Sequence, residues 1–306
     1  MSSRRLRASL VSLHVIDVAE LRVSGRPGES RRFRVRTQVY EYFRSFFLGN
    51  SDAVAQRLEM LCKLPVDEAE DVVELVDHVL GSGADANLLE SLCELLESIS
   101  VSAGVVKVRE AISAEKERVF GAESKETGVA LFDLGLAYDG LGDYAKTRDL
   151  LQRALPIYEQ EHGSDGAEVA STLANLGNAY GDLGDPAKQR DMLERALAIE
   201  ERAYGRDHTK VALTLGNLGN AYGDLGDPAK QRDMLERALA IKERAYGRDQ
   251  TEVAITLYNL GVVHGSLGDK SKKRGLLERV LPIFTRAYGT DHPHTMICQS
   301  QLAKIS

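Results

Sequence analysis

Cysteine is scarce in this chain, with three among 306 residues. Cys62, Cys93 and Cys298 are odd in number and show no CxxC spacing. That argues against a disulfide framework or a thiolate metal site, and leaves buried free thiols in a reducing compartment. Long apolar runs are missing as well. No window approaches the roughly eighteen uninterrupted apolar residues of a membrane span, so no transmembrane helix is expected. Recognisable catalytic sets are also lacking. The glycines of GNLGNAYGDLGD (216–227) imitate a phosphate-binding loop without a preceding strand, and GDKSKK (268–273) has no glycine-rich lead. His292 and His294 stand close together, but Pro293 between them marks a link, not a metal site. No Ser/His/Asp or Cys/His set has a familiar context. The sequence points away from an enzyme and implies no cofactor and no metal.

A general excess of positive charge is absent too. The net charge is −7, with 43% hydrophobic and 28% charged residues, the balance of a soluble folded protein. Residues 1–48 carry ten Arg against four acids, whereas residues 49–126 carry seven bases against seventeen acids. No nucleic-acid partner is expected, since any such case rests on the first 48 residues alone.

What the chain does have is repetition. NLGNAYGDLGDPAKQRDMLERALAI runs from Asn175 to Ile199 and again from Asn217 to Ile241. Residues 169–210 and 211–252 differ at five of 42 positions: Ser171/Leu213, Ala174/Gly216, Glu200/Lys242, His208/Gln250 and Lys210/Glu252. The register continues through 127–168 and 253–294, and 85–126 keeps its apolar pattern. A fixed period of this size signals a repeat array. Within 211–252, Leu215, Leu218, Tyr222 and Leu225 recur at helical spacing, and LGDP breaks the pattern. Gly226 is expected to turn left-handed, Asp227 to cap and Pro228 to open a second helix. Gly247 ends that helix, and Asp249 is the expected cap of the next unit. Two such helices cannot bury a sufficient core alone, so the units must stack, with atypical ends. Residues 85–126 are read as a degenerate capping repeat and 295–306 as a closing helix.

The N-L-G-x-x-Y run, the L-G-D turn, the L-x-R-A-L second helix and the Y-G-x-D link resemble the tetratricopeptide repeat, in the long 42-residue type of kinesin light chain. The resemblance covers about 210 of the 306 residues. It implies an all-α fold, a right-handed superhelical solenoid of helix-turn-helix units, whose first helices line a concave groove. It also implies a protein-interaction scaffold that binds an extended peptide of a partner. Two departures stand out. The family has a small residue where this chain has Thr147, Gln189, Gln231 and Lys273, which bears on the helix-packing angle. No heptad coiled coil is sustained in 1–84, unlike kinesin light chain itself.

On the residues matching the family's groove, the candidate contacts are Asn175, Asn217 and Asn259, with Asp133 in that place in the first repeat. Asn178 and Asn220 lie one turn on. A carboxamide offers both a donor and an acceptor to a peptide group. Two readings stand: these amides face a ligand, or they bond between neighbouring repeats. Leu213 and Ile255 complete the candidate groove. Phe132 and Tyr258 are groove anchors or core residues.

The N-terminal third is different. Residues 10–39 suggest two strands around SGRPGES, and YEYFRSFFL an aromatic helix. Alternatively, the Arg- and Ser-rich start has the composition of an organelle-targeting segment, against a cytoplasmic location otherwise. Residues 49–84 read as an acidic helical pair split at Pro65. Two further functions stay open: a structural role through self-association, and a regulatory activity residing in 1–84.

Overall fold

A computed structural model describes residues 102–305 together with Leu89, Glu90, Cys93 and Glu97. The expected hairpin, targeting segment and acidic helical pair of 1–84 lie outside the described residues. Helices follow one another without a strand among the described residues: α1 Ser102–Phe120, α2 Lys125–Gly140, α3 Tyr144–His162, α4 Ala167–Asp182 and α5 Pro186–Tyr204. They continue as α6 Thr209–Asp224, α7 Pro228–Tyr246, α8 Thr251–Ser266, α9 Lys270–Tyr288 and α10 Pro293–Ala303. The chain divides into two compact units, Met1–Ala114 and Glu115–Ser306. The division falls inside the stretch 85–126 read as a degenerate repeat. In the first unit Leu89, Cys93, Val105, Val108 and Ile112 are buried. Arg109 there bonds Glu90 at 2.8 Å and Glu97 at 3.4 Å.

The second unit is an α-solenoid of helix pairs, each packed on the next. Local chemistry sets each boundary. Gly142, Gly184, Gly226 and Gly268 all have positive φ, and the aspartate after each caps the following helix by accepting from the lysine amide three residues on. Pro186 and Pro228 occupy the first turn. One boundary departs from expectation. The residue before α8 is Gln250, which makes no side-chain cap bond, so Asp249 is not the cap. The Asp249 carbonyl instead accepts from Arg286 at 2.6 Å.

Leu151, Leu193, Leu235 and Leu277 recur every 42 residues and are fully buried at the centre of each pair. Each faces a glycine of the first helix; a Cβ at Gly177 would lie 2.9 Å from Leu193 Cγ. The enlarged second-helix residues are accommodated in the same way. A Cβ at Gly181 would lie 2.6 Å from the Gln189 carboxamide, and one at Gly223 2.6 Å from that of Gln231. A bulky side chain on one helix is thus matched by a bare backbone on the other.

Candidate functional site

Each first helix leaves one stripe unburied, at the spacing of three and four that marks a single helix face. On α2 the stripe holds exposed Val129 and Leu136 with half-buried Phe132 and Asp133. On α4 it holds Ser171, Ala174, Asn175 and Asn178, all half-buried. On α6 come exposed Leu213 and Asn220 with half-buried Gly216 and Asn217; on α8, exposed Ile255 and Val262 with half-buried Tyr258 and Asn259. Helix α4 adjoins both α2 and α6. Leu213 retains 57% of its surface.

The carboxamides are not equivalent. Asn217 Nδ2 donates to Asn178 Oδ1 at 2.9 Å, linking neighbouring repeats. Asn175 Nδ2 donates to the Ser171 carbonyl one turn back, at 2.9 Å. Asn220 and Asn259, the twin of the first pair, have no hydrogen-bond partner among the described residues. Phe132 meets Tyr158 edge-on at 6.1 Å and packs against the core around Leu131, Leu173 and Leu176. Tyr258 packs against the core that includes Leu257, Leu277 and Cys298. Burial first, and Cys298 second, push its phenol above the ordinary range. Both aromatics line the seam between helices at the edge of the stripe.

A second feature emerges where repeats meet. The Glu200 carboxylate, 5% exposed, accepts a hydrogen bond from Thr214 Oγ1 at 2.7 Å. Burial raises its pKa, while the Thr214 bond and the charges of Lys210 and His208 oppose the rise. At the twin position Lys242 Nζ donates to Thr256 Oγ1 at 3.1 Å. Burial lowers its pKa and Glu252 opposes that. Three of the five differences between the twin repeats are therefore one coupled change, Glu with His and Lys exchanged for Lys with Gln and Glu. A threonine hydroxyl serves both seams because it can donate or accept. The flanking seams place aromatic residues at the same positions, Tyr158 and Phe284. Reading the five differences singly missed the pairing, although the opposite sign changes ten residues apart were its signal.

Outside the stripe, Arg153, Arg195, Arg237 and Arg279 bridge Glu117, Glu159, Glu201 and Glu243, each pair one repeat further on. This ladder was also readable from the period. Among the described residues no three metal-ligating side chains come together, and no helix is long and apolar enough to cross a membrane.

Models of the tetratricopeptide repeat match residues 126–199, 168–244 and 253–294, more than half of the chain. The chain belongs to the tetratricopeptide repeat family. Among solved structures, the Podosopora anserina kinesin light chain nearly identical TPR-like repeats are similar at 18% identity and TM-score 0.57, covering 66% of this chain and 96% of that one. A variant of that protein gives a TM-score of 0.58 at the same 18% identity, covering 66% and 95%. BtubC (BKLC) from P. vanneervenii is similar at 21% identity and TM-score 0.58, covering 86% and 93%. These likenesses support the kinesin-light-chain-like type of repeat as a fold. No curated protein matches the chain. A tetratricopeptide array is a protein-interaction scaffold, so protein partners follow from membership in the family.

Proposed function

We propose that this protein is a non-enzymatic scaffold that holds an extended peptide segment of a partner along the concave groove formed by the first helices α2, α4, α6 and α8. The observation that carries this reading is the unburied stripe at the same positions of the first helices of four successive repeats. It combines exposed aliphatics, Leu213 and Ile255 among them, with half-buried carboxamides able to bond a peptide backbone. Asn259 and Asn220 have amides ready for such a bond, and Asn217 and Asn178 would exchange their mutual bond for it. The test is affinity capture from lysate with wild type and with Asn175→Ala, Asn217→Ala, Asn259→Ala combined, after equal helicity and melting have been established. Partners lost only from the variant support the groove. Partners retained equally by both forms would place recognition elsewhere.

Self-association is the second reading, favoured by Met296 and Ile297 on α10, exposed by 55% and 46%. Sedimentation at rising concentration checks it: a constant mass removes this reading.

A further inference from the structure

The inner stripes share a charge property that their repeats as a whole do not. From the fifth residue of each first helix to its end, at 129–140, 171–182, 213–224 and 255–266, there is no Lys or Arg. Those stretches carry Asp133, Asp139, Asp182 and Asp224. The bases of the same repeats lie on α3, α5, α7, α9 and the links, apart from Lys125 and Lys210 in first turns. The four period-spaced arginines among them are taken up in ion pairs. Asp182 and Asp224 are the last residues of α4 and α6, where the negative end of the helix dipole adds to their charge. The Asp139 carboxyl is held above its usual range, first by the protein atoms crowded round it and second by the Asp182 charge. Directly beyond this acidic row, Leu141, Leu183, Leu225 and Leu267 are exposed, again 42 residues apart. Val129, Leu136, Leu213, Ile255 and Val262 extend the apolar surface back along the helices.

We infer that the occupant of this face is a basic extended segment of a partner protein, with aliphatic side chains between its Lys or Arg residues; this deepens the peptide-binding reading above and rests on it. An acidic segment would meet the like charges of Asp139, Asp182 and Asp224. A purely apolar one would strip their water and return nothing. A segment alternating cation and aliphatic satisfies both the carboxylates and the leucine row, and first-helix stretches that carry acids but no Lys or Arg of their own would favour its approach.

The experiment is fluorescence anisotropy of the full chain with two labelled probes, repeats of Lys-Leu-Ser and repeats of Glu-Leu-Ser. Two charge-matched variants accompany the wild type. One combines Asp139→Asn, Asp182→Asn and Asp224→Asn on the stripe; the other combines Asp149→Asn, Asp191→Asn and Asp233→Asn on the second helices. The basic probe should bind, lose about tenfold in affinity in the stripe variant at low salt and less than about twofold in the control, and weaken as salt rises. The acidic probe should not bind. Equal losses in both variants, equal binding of both probes, or no binding of the basic probe would each overturn the inference. Failure of the underlying groove reading looks different. If the captured partner is lost from the asparagine variant but its bound segment is acidic, the groove stands and its basic preference falls.

Discussion

The seam between 169–210 and 211–252 and the seam between 211–252 and 253–294 are built from almost the same residues, yet their buried charges are opposite. In the first, Glu200 faces Lys210, His208 and Thr214; in the second, Lys242 faces Glu252 and Thr256. A copied unit meets itself at both ends, so copying alone makes every seam interchangeable. Opposite charges remove that ambiguity. Glu200 set against Glu252 would place a second carboxylate beside a buried one, and Lys242 against Lys210 a second ammonium beside a half-buried one, which like-charge repulsion penalises. Repeat order, and with it the order of side chains along the unburied stripe, is thereby tied to sequence.

Breaking one seam should have the largest effect. Glu200→Lys places a second cation beside Lys210 and His208 and should cost about 3 kcal/mol in urea unfolding. Adding Lys210→Glu should return at least half of that, because it recreates the polarity of the other seam. Failure of the second change to restore anything would mean that burial alone, and not the partner, decides the loss.

Packing within the units should differ less. Gly177→Ala and Gly219→Ala set the same methyl against Leu193 and Leu235, but at 2.9 and 3.2 Å. Each should destabilise by about 1–3 kcal/mol through overpacking. The loss should be greater at Gly177, and calorimetry on the two variants checks the order.

Acidity should separate the seams by sign. The raised pKa of Glu200 means that the folded chain holds its proton more tightly than the unfolded one. Its contribution is full below the ordinary glutamate value of 4.5 and is lost as pH rises through the folded value. For Lys242, with a lowered pKa, the contribution is full above 10.5 and is lost as pH falls through the folded value. Glu200→Gln should therefore remove a fall in Tm as pH rises above 4.5, and Lys242→Met a fall in Tm as pH drops below 10.5. A variant that shifts the whole profile without altering its slope would contradict the assignment.

The smallest difference concerns the amides. Asn178→Ala removes the bond to Asn217 and should cost about 1 kcal/mol, whereas Asn220→Ala should be close to neutral. Equal losses by thermal melting would show that the bond is not what stabilises the pair.

The order of elements was legible because it depends on local chemistry. The L-G-D turn, the Asp cap and the proline of the first turn each act within a few residues, and the structure places Gly226, Asp227 and Pro228 as the sequence implies. The Asp249 cap was misread by one place: the residue after that aspartate opens the helix, as His208 follows Asp207 and Gly166 follows Asp165, and Gln250 makes no side-chain cap bond. Large residues such as Gln189 looked disruptive because the compensating Gly181 lies on the other helix. The stripe positions were readable from helical spacing. Which amides bond each other was not, since Asn178 and Asn217 meet across a seam, and their identical twins Asn220 and Asn259 do not bond.

The most direct test of seam matching uses two deletions of equal length. Removing 211–252 leaves Glu200 followed by His208 and Lys210; removing 201–242 leaves Glu200 followed by Gln250 and Glu252. The two shortened chains differ only at those two positions. Charge-matched seams predict that the first melts several degrees above the second at neutral pH, and that the gap narrows as Glu200 gains its proton. Equal melting temperatures would show that the buried charges do not distinguish one seam from the other.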